Sequence, residues 1–223
     1  MFRTILANNV MDSDTSEYDA RSEIGQQLKL LEQEGVDGFA KRIQGGNNIA
    51  ASTKFRAEVL RRNNLSLSGK VLDLGIGHGL GIKPWLELMP KSSHYIGLEL
   101  NRAYIRSVIP RVIEQFYPQK SDQKNITIME GSFNEIPLPD SSVDFIVEEN
   151  AFHHSNDLDM TLKECLRVIK PGGKMILIDR FHKSSTSQKA LDYLLDLYNP
   201  SSFWKLQGLE KAKNLTRREM GEH

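Results

Sequence analysis

The apolar positions of this 223-residue chain change their period near residue 66. Before that point the spacing is helical. Ile24, Leu28, Leu30 and Leu31 recur on one face between Ser22 and Glu34, and Gly35 is placed to end that helix. The run Gly45-Gly46-Asn47-Asn48 breaks the pattern, after which Ser52 can cap a second helix through Phe55, Val59 and Leu60 to about Arg62. Residues 1–65 therefore read as a helical lead-in. From Lys70 onward short apolar strands alternate with helices. Strands are expected at KVLDL, His94–Glu99, Asn125–Glu130, Val143–Glu148 and Lys174–Asp179, with helices at Ile82–Met89, through Ile105 and Phe116, and at Asp157–Ile169. Such alternation requires crossover connections, which place parallel strands in one sheet with helices on both faces. The expected fold class is α/β, doubly wound. Pro84 suits the first turn of its helix, whereas Pro110 interrupts a helical pattern and should kink or split it. After Asp179 the spacing returns to helical, with Leu191, Leu194 and Leu195, then Phe203, Trp204, Leu206 and Leu209.

Composition narrows the function classes. Twenty-nine basic residues balance 29 acidic ones, so no global field favours nucleic acid or an anionic membrane. No run approaches the roughly 20 apolar residues of a membrane span, and MFRTILANNVMDSD is too short for a signal-peptide core, which makes the cytoplasm the expected compartment. The single cysteine, Cys165, excludes an internal disulfide and reads as a core thiol on an apolar helix face.

The chemistry concentrates in VLDLGIGHGLG, residues 71–81, where glycines alternate directly after a strand. A dinucleotide site expects G-x-G-x-x-G at this place, and the present spacing fits it loosely. Asp73, two residues before the first glycine, is awkward beside a pyrophosphate but suits a ligand with an ammonium or sulfonium group. The pattern D-x-G-x-G-x-G, formed by Asp73, Gly75, Gly77 and Gly79, resembles the first motif of the class I S-adenosylmethionine-dependent methyltransferases. Three further stretches come in the matching order: IGLEL, GSFNEIPLPDSSVDFIVEENAFHH and LKECLRVIKPGGKMILID. The resemblance covers about residues 66–181.

That resemblance implies S-adenosylmethionine as cofactor and S-adenosylhomocysteine as product. Gly75 and Gly77 would let the cofactor approach the backbone, and Gly79 completes the motif or only permits helix packing. Asp73 would help to hold the methionine amino end, Glu99 the ribose hydroxyls, and Phe133 the adenine. Glu149 would stand at the cofactor edge. Ser132 replaces the aspartate usual in the family and would lead to weaker or backbone-led adenine recognition. The Pro171-Gly172-Gly173 turn is structural.

The resemblance also implies a Rossmann-like sheet in the order 3-2-1-4-5. The family's sixth and seventh strands have no counterpart after Asp179, so either the chain is shortened or the sheet stops at five strands. Tail helices, or a second copy in a homodimer, would then cover strand five. The implied division is a helical cap over 1–65, a cofactor domain over 66–182 and a helical C-terminal segment over 183–223.

A small-molecule methyl acceptor is expected over the carboxyl ends of the strands, with Tyr18, Phe39, Phe55, Tyr193, Tyr198, Phe203 and Trp204 available as cover or as packing. Glu148, Glu149, His153 and His154 form the titratable cluster nearest to that position. His153 and His154 are the candidate catalytic bases, with pocket shaping as the alternative for His154. No metal is expected, because no carboxylate or cysteine completes a ligand spacing around the histidines. Competing functions are a non-catalytic S-adenosylmethionine-binding module, transfer of another part of the same cofactor or of its decarboxylated form, and a nicotinamide-dependent oxidoreductase, which Asp73 disfavours.

Overall fold

The computed structural model describes residues 1–6, 23–45, 49–119, 121, 123–155, 157–179, 187 and 189. In chain order the strands are β1 (Arg3–Ile5), β2 (Lys70–Leu74), β3 (His94–Glu99), β4 (Ile126–Glu130), β5 (Val143–Glu149) and β6 (Ile169–Ile178). The α-helices are α1 (Glu23–Gly45), α2 (Ile49–Arg62), α3 (Ile82–Glu87), α4 (Ile109–Phe116) and α5 (Leu158–Val168). All strand pairs are parallel and the order is β1-β4-β3-β2-β5-β6. The α/β doubly wound expectation and its 3-2-1-4-5 core are therefore present. Among the described residues the sheet has six strands, not five, because β1 adds a strand beyond β4. A wholly helical reading of residues 1–65 is thereby corrected: three residues are too few to display a period, and what anchors them is Phe2 and Ile5 packing on the two apolar cores.

Period-two burial explains the layers. Val71 and Val147 contribute to a core shared with α1 to α4, while Leu72, Leu74 and Ile146 contribute to one shared with α5. Cys165 lies in the second core as a fully buried thiol, and burial pushes its pKa up to about 12. It is a packing residue. Leu72 and Leu74 are fully buried, as the unbroken apolar run of a central parallel strand requires.

Local punctuation agrees with the sequence, with instructive exceptions. Gly35 does break α1, at φ 67° and ψ 172°, but helix resumes beyond it to Gly45. Ser52 lies inside α2 and caps nothing, since the helix begins at Ile49. Phe55, placed on the inner face by spacing, is 51% exposed. Pro110 splits its helix as expected: a π-helical turn, Tyr104–Val108, precedes α4, where proline occupies the first turn and its missing N–H is harmless. In β6 the Pro171-Gly172-Gly173 turn loops out between Ile169, opposite Val143, and Lys174, opposite Phe145. The C-terminal segment 183–223, with its expected helices and aromatic residues, and Tyr18 lie outside the described residues apart from Ser187 and Lys189. Among the described residues no helix is long and apolar enough to cross a membrane.

Asp157 caps α5 by accepting the Met160 N–H at 2.9 Å. Replacing Asp157 with Ala should lower unfolding stability by about 1 kcal/mol in a urea titration, with little change in the slope of the transition.

Candidate functional site

The glycine turn leaves β2 in a conformation that side chains resist. Gly75, Gly77 and Gly79 have φ values of 73°, 53° and 89°. Their surroundings differ. A Cβ on Gly75 would lie 2.4 Å from the Ala151 methyl and 3.0 Å from Phe133 Cζ, so this glycine is enclosed by the loops after β4 and β5. A Cβ on Gly79 would meet Ile82 and Ile109, which gives that residue a packing duty. A Cβ on Gly77 would meet nothing within 4 Å among the described residues. Gly77 is thus the point of open approach. The amides of the turn are already engaged: the Gly75 N–H donates to Leu98 O at 2.9 Å, the Gly79 N–H to Ile76 O at 2.9 Å and the Gly77 N–H to Glu99 Oε2 at 2.8 Å.

Glu99 is the hub on the β3 side. Its Oε1 accepts the Leu100 and Asn101 N–H groups at 3.0 and 2.8 Å, so a single carboxylate gathers the turn and its own succeeding loop. Burial nevertheless pushes its pKa up to about 7 against the pull of these donors. A carboxylate offers roughly four acceptor positions, and three are filled, which leaves room for a hydroxyl on Oε2. In the same loop Asn101 Nδ2 is a buried donor with no partner among the described residues. Glu130, the register neighbour of Glu99, is neutralised by Arg102 through bonds of 2.7 and 3.0 Å.

On the β2 side Asp73 is buried and accepts the Tyr95 hydroxyl at 2.5 Å. Burial raises its pKa to about 7, opposed by Tyr95 and by the charge of Arg56 and reinforced by Glu149. Arg56, from α2, donates through Nε to Glu149 Oε2 at 2.7 Å and through Nη1 to Gly81 O at 3.0 Å, with its guanidinium 4.6 Å over the Trp85 ring. Neither Arg56 nor Arg102 was among the sequence-derived site residues. The available signal for Arg56 was a charge four residues before buried Leu60, on the inner face of its helix.

The loop after β5 separates the two histidines. His153 is 1% exposed, and both its backbone N–H and its Nδ1 pair with Asp179, at 3.0 and 2.8 Å. His154 is exposed, its ring 4.1 Å from that of His153. Glu148 accepts the Ala151 and Phe152 N–H groups at 2.6 and 3.1 Å, and burial beside Asp179 pushes its pKa up to about 8. Asp179 faces it, and one carboxyl beside another favours a proton held between the two. Phe133 lies against the turn at Gly75, 5.8 Å from the Phe152 ring, and Ser132 Oγ accepts the Asn134 N–H at 3.1 Å. The structure therefore gathers Asp73, Gly75, Gly77, Glu99, Phe133 and Glu149 around one turn. His153 stands behind its loop.

Residues 72–177 match the model of a methyltransferase domain. This chain carries a domain of the class I S-adenosylmethionine-dependent methyltransferase superfamily. Among curated relatives of this methyltransferase domain, a glycine/sarcosine/dimethylglycine N-methyltransferase from Actinopolyspora halophila is 24% identical over 176 residues, covering 73% of this chain and 30% of that protein. A demethylmenaquinone methyltransferase from Geobacillus is 26% identical over 145 residues, covering 65% of this chain and 57% of its own length. A solved structure from Galdieria sulphuraria, provisionally described as a sarcosine dimethylglycine methyltransferase, superposes with a TM-score of 0.52 at 26% identity over 71% of this chain and 60% of its own. The chain thus spans less than two thirds of the length of each of these three proteins.

Two alanine substitutions separate packing from approach in the methyltransferase turn. Gly75→Ala should destabilise the fold by about 2–4 kcal/mol, from a left-handed φ and a clash with Ala151. Gly77→Ala should cost only about 1 kcal/mol, from φ alone. Thermal melts of the two variants check the contrast.

Proposed function

We propose that the chain is an S-adenosylmethionine-dependent methyltransferase acting on a small-molecule acceptor. The observation that carries this reading is the coincidence, at one glycine turn, of open backbone approach at Gly77 with the buried carboxyls of Asp73 and Glu99. The donor set suits the cofactor. Asp73 would face its ammonium or sulfonium end, Glu99 would accept from the ribose, Phe133 would cover the adenine, and Ser132 would assist at the same end. Glu149 would stand at the cofactor edge, and Gly79 frames the turn. When bound, S-adenosylmethionine supplies a methyl group on a sulfonium, whose displacement leaves a neutral thioether.

The work left to the protein is alignment and exclusion of water. His154, exposed in the loop after β5, would either hold or receive an acceptor proton at an imidazole nitrogen or shape the pocket. His153 orders that loop through Asp179. The acceptor would arrive over the carboxyl ends of the strands, where this sheet class binds ligands. The relatives are named for glycine derivatives and for demethylmenaquinone, which supports a small-molecule class without favouring one compound.

Calorimetric titration with S-adenosylhomocysteine, with NADH as control, tests the reading. The natural chain should bind the homocysteine nucleoside and not NADH, and Glu99→Gln should weaken that binding about 10- to 100-fold through loss of a charged acceptor. Binding of NADH alone, or of neither ligand to folded protein, would sink the proposal.

Affinity should also depend on pH in a stated direction. In the free protein Asp73 and Glu99 titrate near 7, while a cationic ligand and ribose hydroxyls favour their ionised forms and lower both pKa values. Between the lowered and the free values, binding releases protons, so affinity rises with pH up to about 7. Below that point each group should cost up to about tenfold in affinity per pH unit. The same titration repeated between pH 5.5 and 7.5 measures the slope.

A further inference from the structure

We infer that Arg56 is a positioning residue of the methyltransferase site: it pins Glu149 to the end of the glycine turn and supplies the buried positive charge that complements Asp73. The inference rests on the cofactor reading of that site and extends it to α2, outside the matched residues 72–177.

Three observations converge on this arginine. It is only 4% exposed, although it belongs to a helix whose other buried residue is Leu60. A buried guanidinium is tolerated only when its charge and donors are met, and here they are met by site elements. Nε and Nη2 both address Glu149 Oε2, at the end of β5, while Nη1 reaches the carbonyl of Gly81, where the glycine turn becomes α3. Trp85 lies beneath the guanidinium plane and fixes its tilt. One side chain thus joins α2, the turn and the strand that flanks β2 on the side away from Glu99.

The electrostatic part comes from the groups that face Asp73. Tyr95 on β3 donates a hydrogen bond, Arg56 on α2 contributes positive charge and Glu149 on β5 contributes negative charge. Arg56 therefore acts on Asp73 twice, by its own charge and by pairing with the glutamate that would otherwise oppose ionisation. A merely structural clamp between α2 and the sheet would alter stability without altering the charge state of Asp73.

The test monitors the Asp73 carboxyl by carbon NMR in the ligand-free protein across pH, in the natural chain, Arg56→Met and Arg56→Lys, each with S-adenosylhomocysteine titration. Arg56→Met should raise the Asp73 midpoint by about one unit or more, weaken binding roughly tenfold near pH 7 and recover much of that loss at higher pH. Arg56→Lys keeps the charge and loses the fork. It should hold the midpoint within about half a unit while still weakening binding. An unchanged midpoint in folded Arg56→Met, with an affinity loss uniform across pH, would overturn the inference. Should Arg56→Met fail to fold, a midpoint in Arg56→Lys that rises by a full unit would overturn it as well. If the natural chain binds no S-adenosylhomocysteine yet the midpoint still moves in Arg56→Met, the cofactor reading fails and the charge coupling stands.

Discussion

Everything in this site depends on how carboxyl groups are kept at the buried carboxyl edge of a parallel sheet. Asp73, Glu99, Glu130 and Glu148 are each 9% exposed or less, on four neighbouring strands of the sheet. The protein answers each one differently. Glu130 receives a guanidinium from Arg102, Glu99 receives three backbone N–H groups, Asp73 receives a phenol, and Glu148 receives two backbone N–H groups beside Asp179. The result is a graded edge. Groups already neutralised serve the fold, while those held near the boundary of ionisation retain a capacity that a cationic or hydroxylated ligand can use.

The glycine turn is the mechanical counterpart of that grading. Its three left-handed glycines do not form an empty cradle of amides, since the three N–H groups are spoken for by Leu98, Ile76 and Glu99. What they provide is shape. Gly75 lets the loops after β4 and β5 close over the turn, Gly79 lets α4 approach, and at Gly77 alone of the three an added Cβ would meet no neighbour among the described residues. A ligand arriving there meets the Gly77 N–H already committed to Glu99, so a hydroxyl donated to Oε2 would be linked to the conformation of the turn through one oxygen atom.

How much of this was legible in the sequence depends on the range of the interaction. The central strands, the split at Pro110 and the turn residues were readable because each is encoded within a few positions by periodicity or by backbone constraint. The break at Gly35 was readable for the same reason. Resumption of helix beyond it was not, because a glycine marks where φ changes and leaves the conformation of the next residues open. β1 was missed because three residues carry no period and its strand character comes from β4. Arg56 and Arg102 were missed because compensation of a buried charge is a tertiary fact: Arg56 lies 93 positions from the glutamate it answers. The histidine pair shows the finest limit. Nothing in the dipeptide says which ring turns inward; the short 3-10 turn Phe152–His154 decides it.

Glu148 and Glu149 are consecutive in β5 and point to opposite faces of the sheet, the first toward the α5 layer and the second toward Arg56. The strand end therefore works as a two-sided hinge plate, with one carboxyl fastening the histidine-bearing loop and the other fastening the lead-in helix. A one-residue insertion ahead of the pair would put Val147 at the position that fastens the loop, and a one-residue deletion would put Asn150 opposite Arg56. The spacing of β5 thus carries a parity that no conservative substitution at either glutamate can restore.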